Sequence, residues 1–212
     1  MAHIKNRGLA ALFMQHFRRL WPVYLFFFGA FLAGLAAGYL APSSMPSEDF
    51  ASLSTYYNAV LNGLPHAEIS PGEEIAAAFS FNGGLLLALL LGGLSVLAVF
   101  VSPCVLFYKG FSLGFCISFL LSQRAAEGLI IILLTVLPQT IFLLPLLLVA
   151  SVQSLSFSSA LFRRSGETLP PFGNRLAAYL YRYLLLALGV FLCAVLQGAL
   201  APTLLQLLFA LV

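Results

Sequence analysis

VLFYKGFSLGFCISFLLS, residues 105–122, is uncharged along its whole length except at Lys109. Whether this run crosses a bilayer sets the number of passes and the side on which every later segment falls. A lysine about one turn from the end of a span can lift its ammonium to the headgroups while its methylene stem stays in hydrocarbon. The run is therefore read as a crossing. Four further runs surround it, at 20–41, 83–102, 129–150 and 183–200, each close to the roughly 20 residues that span about 30 Å of hydrocarbon. Lipid offers the backbone no hydrogen bonds, so such runs must be helices or strands of a closed barrel, and unbroken apolarity excludes the alternation a barrel strand needs. The fold class this predicts is all-α integral membrane: a bundle of about five transmembrane helices forming one polytopic domain over residues 1–212.

Charge supplies the orientation. Cytoplasmic span ends carry an excess of Lys and Arg, with acids given little weight. With the N-terminus in the cytoplasm, the inner side holds Lys5, Arg7, Arg18, Arg19, Lys109, Arg163, Arg164, Arg175 and Arg182, leaving Arg124 outside. If 105–122 did not cross, Arg163 and Arg164 would move to the outer face. The expected layout is a basic cytoplasmic segment at 1–19, an acidic external loop at 42–74, a basic cytoplasmic loop at 163–176 and an external C-terminus. The first run is too long for the h-region of a cleaved signal and reads as an anchor. Only 8% of the residues are charged and the net charge is +3, so nucleic acid is not an expected partner. Cys104, Cys116 and Cys193 lie in or beside apolar stretches and read as packing residues, not as a disulfide or metal set.

The acidic segment is expected to hold a short helix, with Ser47 as N-cap, Glu48 and Asp49 in its first turn, and Phe50, Leu53, Tyr57, Val60 and Leu61 at helical spacing. That apolar stripe needs cover from the outer leaflet, the top of the bundle or a partner. Ser70, Pro71 and Glu73 form a capping-box pattern, so the second spanning helix is expected to begin in this segment and to bend near Gly83 and Gly84. Ser151 to Phe162 reads as an interfacial continuation of the fourth span, and Pro170 and Pro171 as the loop before the last.

An intramembrane enzyme needs a nucleophile with a base, paired acids or metal ligands at one depth. His3 and His16 fall on one side of this layout and His66 on the other, and all the carboxylates fall in loops or at span ends. No catalytic, cofactor or metal site is therefore expected, and the chain is read as non-enzymatic. Small residues instead recur at a spacing of four: Ala30, Gly34 and Gly38; Gly84, Ala88 and Gly92; Gly110, Gly114, Ser118 and Ser122. Such stripes let helix backbones approach closely, within one bundle or between the subunits of a homo-oligomer. Two motifs carry a cost in lipid. One is Tyr108-Lys109-Gly110-Phe111 with Gly114, read as a topogenic lysine at a membrane surface, with direct contact to a partner or a lipid phosphate as the alternative. The other is Leu137-Pro138-Gln139 at the middle of the fourth run, read as a kink whose freed groups bond neighbouring helices, with a polar pathway lining as the alternative.

These residues also carry a resemblance. The basic start with His16, Tyr108-Lys109-Gly110-Phe111 with Gly114-Phe115, Leu137-Pro138-Gln139 followed by Pro145, and Ser156-Phe157-Ser158 ahead of Arg163 and Arg164 together resemble the stage II sporulation protein M family over most of the chain. The resemblance implies a multi-pass protein of the bacterial plasma membrane that acts in engulfment, as a scaffold for membrane-anchored peptidoglycan hydrolases of the stage II D and P types at the septum. A scaffold needs spans and an exposed face but no catalytic residues. The competing reading is an oligomeric pore or permease subunit, with the glycine stripes at its interfaces and Gln139 and Gln197 facing a pathway.

Overall fold

A backbone in hydrocarbon satisfies its polar groups only by bonding to itself, and every element among the described residues is helical, with no strand among them. The computed structural model describes residues 9–63, 70–123, 128–130, 132–162 and 171–211. The elements are α1 (Leu9–Leu40), a 3-10 turn (Pro42–Ser44), α2 (Ser47–Gly63), α3 (Pro71–Gly93), α4 (Ala98–Gln123), a π-turn (Ile132–Val136), α5 (Leu137–Phe162) and α6 (Phe172–Leu211). Among the described residues five segments are long and apolar enough to span a membrane: Leu20–Leu40, Pro71–Gly93, Ala98–Gln123, Leu137–Phe162 and Phe172–Gly198. Large apolar side chains such as Phe26, Leu87, Phe100, Phe142, Leu184 and Leu188 point outward, a surface suited to lipid and not to water. The chain has a multi-pass helical membrane fold.

The helices α3, α4 and α5 pack against one another, with α1 laid along α4 and α6 along α3 and α5. Phe27, Leu89, Leu106, Leu143, Leu147, Val152 and Val190 fill the centre and are almost wholly buried. The count of five spans holds, and 105–122 lies within a helix long enough to cross. The boundaries, however, differ from those read in the sequence. The chain does not turn between 102 and 105; it turns at residues 94–97, inside the run expected to be the second span. Gly92 and Gly93, poor helix formers, end α3, and the Ser95 hydroxyl accepts the amide of Leu97 at 3.1 Å as α4 begins. Pro103 is accommodated inside α4.

Moving the turn moves the polar residues. Asn82, just outside the expected second span, is the twelfth residue of the 23 in α3, and Lys109 is the twelfth of the 26 in α4. Lys109 is thus a mid-helix residue, about 16 Å along the axis from the start of α4, and not a lysine near a span end. The fourth span shifts similarly. Pro138 is the second residue of α5, directly after the π-turn, where a missing amide costs little. Helix α6 begins at Phe172, within the stretch read as a loop to 176 and ahead of the expected 183, so Arg182 lies on an exposed face of that helix.

Helix α2 resolves the question of what covers its apolar stripe. Phe50 and Tyr57 set their rings edge-on to Phe119 of α4, at 5.7 and 5.6 Å between centroids, so the stripe packs on the bundle. The side chains of Val60 and Leu61 lie outside the described residues. Ser47 is the first residue of the helix and not its cap, since Phe50 donates to the carbonyl of Pro46. Ser70 does cap α3 in the extended conformation, with Pro71 following, but no side-chain cap bond forms. Helix α3 continues through Gly83 and Gly84.

Candidate functional site

The α1–α4 seam is built from absent side chains. A Cβ placed on Gly34 would strike the carbonyl oxygen of Phe107, and one on Gly38 that of Phe111. Reciprocally, a Cβ on Gly110 would strike the carbonyl oxygen of Phe31, and one on Gly114 that of Leu35. Rising numbers in one helix meet rising numbers in the other, so α1 and α4 run parallel, as a first and a third crossing must. Two of the three small-residue stripes therefore face each other within one bundle. The third does not behave alike: a Cβ on Gly92 would meet Val101 side-chain atoms at 3.1 Å, whereas nothing lies within 4 Å of one on Gly84.

This seam orients Lys109. One residue is about 100° of helix, so with Gly110 turned onto α1 its neighbour turns toward α3. There the Lys109 Nζ donates to Oδ1 of Asn82 at 3.0 Å, and Asn82, only 3% exposed, donates its Nδ2 to the carbonyl of Ala78 at 2.9 Å. The ammonium also lies 5.4 Å from the ring centroid of Phe81, whose ring neighbours that of Tyr108. A charged lysine at the middle of a transmembrane helix costs about 2.5–3.5 kcal/mol on an insertion scale. The amide and the aromatic face offset part of that. Among the described residues the carboxylates Glu48, Asp49, Glu73 and Glu74 sit in the first turns of α2 and α3; Glu74 is about 12 Å along the helix axis from Asn82.

Beside the pair, between α3 and α4, lies an open groove of about 300 Å³ lined by Leu85, Phe100, Val101, Cys104, Val105 and Tyr108. Leu85 follows Asn82 by nearly one turn and Val105 precedes Lys109 by about one, so the groove begins where the polar pair ends.

A second polar constellation closes the end of the bundle that carries the α3–α4 turn. The last carbonyls of a helix lack partners of their own. Here Ser154 of α5 donates to the carbonyl of Leu89 at 2.8 Å, Tyr179 of α6 to that of Leu90 at 3.0 Å, and Ser158 to that of Ser95 at 2.6 Å. Tyr183 donates to the carbonyl of Ala150 at 2.8 Å. The Phe157 ring stacks on Tyr179 at 4.2 Å. Gly93 makes room for this junction, because a Cβ there would meet the Tyr179 hydroxyl and come within 2.9 Å of the Ser154 Oγ. The stretch read as interfacial is thus buried at Ser151, Ser154, Phe157 and Ser158.

Of the residues singled out in the sequence, Lys109, Gly110, Phe111 and Gly114 come together where α4 meets its neighbours. Pro138 and Gln139 stand apart from them. The Ser154–Leu89 and Ser158–Ser95 bonds show α5 parallel to α3, and the same register carried back places Gln139 level with the first turn of α3, well away from the helix centre where it was expected. Arg163 and Arg164 lie outside the described residues. Sequence reasoning missed Asn82, which ended a span only because it is polar, and the tyrosines 179 and 183, whose spacing of four on an apolar helix is the one signal that could have paired them with Ser154 and Ser158. Among the described residues no cluster of three His, Cys, Asp or Glu is placed to hold a metal ion.

Helices joined by backbone seams and side-chain-to-carbonyl bonds, with outward apolar faces, define a polytopic α-helical membrane protein. Within that class, the family model described as stage II sporulation protein M matches residues 24–202. The chain belongs to the stage II sporulation protein M family. No curated protein and no solved structure gave a significant match.

Proposed function

We propose that this protein is a non-enzymatic membrane scaffold that holds peptidoglycan hydrolases of the stage II D and P types at the septal membrane during engulfment. Family membership over residues 24–202 carries the reading. The polar side chains of Lys109, Ser154, Tyr179 and Tyr183 support it, since each binds a neighbouring helix. In this reading the protein lies in the bacterial plasma membrane with its N-terminus in the cytoplasm. The α3–α4 turn and the Ser154–Tyr179 junction are at the inner face, and α2 is at the outer face with the acidic segment. The inner side keeps its excess of Lys and Arg even with Lys109 withdrawn to mid-membrane.

Two measurements test the proposal. With Thr55, exposed on α2, and Ser165 replaced singly by Cys in a background without native cysteines, an impermeant thiol reagent should label position 55 in intact cells and position 165 only after lysis. The reverse pattern overturns the orientation. In cells lacking the protein, fluorescent fusions of the two hydrolases should disperse from the septum. Unaltered septal localisation together with solute flux through purified protein in liposomes would replace the scaffold by a pore.

A further inference from the structure

The ammonium of Lys109 has three donors, one of which is given to Asn82. Its position near the helix midpoint is the most costly a lysine can take in a span, and an ionisable group held there marks a site by default. Three observations identify what it would bind. The first is depth: about 16 Å of helix separates Lys109 from the start of α4, so lipid phosphates, which lie at the membrane faces, are at the wrong level. The second is the groove along α3 and α4, lined by Leu85, Phe100, Val101, Cys104, Val105 and Tyr108, which adjoins the Lys109–Asn82 pair and is apolar on every wall except at the tyrosine. The third is sequence: each Asp and Glu of the chain lies outside the central turns of the spans, so a second copy brings no carboxylate to this depth.

We infer that the α3–α4 face at Lys109 docks a transmembrane helix of another protein that carries an Asp or Glu near its middle. The apolar turns of that helix lie against Phe100, Val101 and Val105, and its carboxylate accepts from the Lys109 ammonium, which Asn82 and the Phe81 ring hold in place. Desolvation by lipid makes the pair exacting: a neutral helix leaves the lysine as costly as before, and a basic one adds repulsion. The docking does not depend on what the partner does outside the membrane.

The experiment uses the full chain in its native membranes, with Phe100→p-benzoylphenylalanine as a photo-crosslinker. Phe100 is 68% exposed and lines the groove. The crosslinked peptide, read by mass spectrometry, should be a spanning segment of a different protein with an Asp or Glu in its central turns. Lys109→Met should lower the yield about tenfold, equivalent to about 1.4 kcal/mol, and Lys109→Arg should retain it. Replacing the partner's carboxylate by its amide, with Lys109 intact, should lower the yield equally; that second variant decides the matter if Lys109→Met fails to accumulate. An adduct with lipid alone, with a second copy of this chain, or with a helix lacking a carboxylate overturns the inference. So does a yield unchanged when the carboxylate is neutralised.

Discussion

The α1–α4 seam and the α3–α5–α6 junction bring helices together by opposite means. In the seam, Gly34, Gly38, Gly110 and Gly114 withdraw their side chains so that backbone meets backbone. In the junction, Ser154, Ser158 and Tyr179 extend hydroxyls to carbonyls at the end of α3 and its turn. The apolar effect that folds soluble proteins gives helices in lipid little reason to associate, which leaves packing and hydrogen bonds. The two regions show each used nearly alone. A seam of close backbones has no slack, because the neighbour of each glycine is a main-chain atom that cannot swing away. A junction of hydroxyls has slack, because removing a hydroxyl forces no backbone apart and forfeits one hydrogen bond.

The difference fixes the size of the expected effects. Gly34→Leu should be the most damaging change in either region. Its side chain meets the Phe107 carbonyl, and forced overpacking of this kind typically costs about 1–3 kcal/mol, occasionally more. Melting in detergent should fall sharply, and a cysteine pair set across α1 and α4 should stop crosslinking. If Gly34→Leu melts as the native protein does, the seam is not a contact that holds the bundle.

Tyr183→Phe and Ser154→Ala come next. Each removes one interhelical hydrogen bond, worth about 0.6 kcal/mol on average and up to about 1.7 in membrane proteins. The two losses should be alike, since Tyr183 and Ser154 are both buried, at 2% and 0% exposed, and each bond is 2.8 Å long. Combining Ser154→Ala with Tyr179→Phe should give less than the sum of the separate losses, since both hydroxyls converge at Gly93. Strict additivity would mean that the junction is a set of independent bonds.

The smallest effect has the opposite sign. Gly84→Ala, with nothing within 4 Å of the new carbon, should raise stability by about 0.5 kcal/mol through helix propensity. The same glycine-to-larger exchange that breaks the seam should thus help here. A loss of stability at Gly84 would point to an unrecognised contact on that face.

The number of spans and the small-residue seams were legible in the sequence because both rest on short-range quantities: uninterrupted apolarity, and a spacing of four. The boundaries were not. Reading polar residues as span ends excluded Asn82 and pushed Lys109 toward the surface, yet the two lie at the middle because they satisfy one another across helices, a pairing that no single window of sequence contains. The true turn was marked by Gly92, Gly93 and Ser95, weaker signals than the proline at 103 that α4 absorbs. Gln139 shows the reverse error. It was placed at a midpoint by the extent of an apolar run, whereas the π-turn before Leu137 and the register of α5 against α3 put it near one end. Ser154 and Ser158 were visible as polar residues, but their partners are main-chain carbonyls, which carry no residue-specific signal.

The parallel pairing of α1 with α4 also sets an order of events during synthesis. Helix α1 is made first, but its partner is the third span, and at about 5–20 residues per second Gly110 leaves the ribosome several seconds after Gly34. Through that interval the narrow face of α1 has no matching face of its own chain to meet. The intervening α2 and α3 are already made, so α4 must arrive past them and slot beside a helix that has been waiting in the bilayer. The tightest contact in the molecule is therefore among the later ones to form, and a nascent chain stalled before α4 would present its Gly34–Gly38 face to whatever other helix is near.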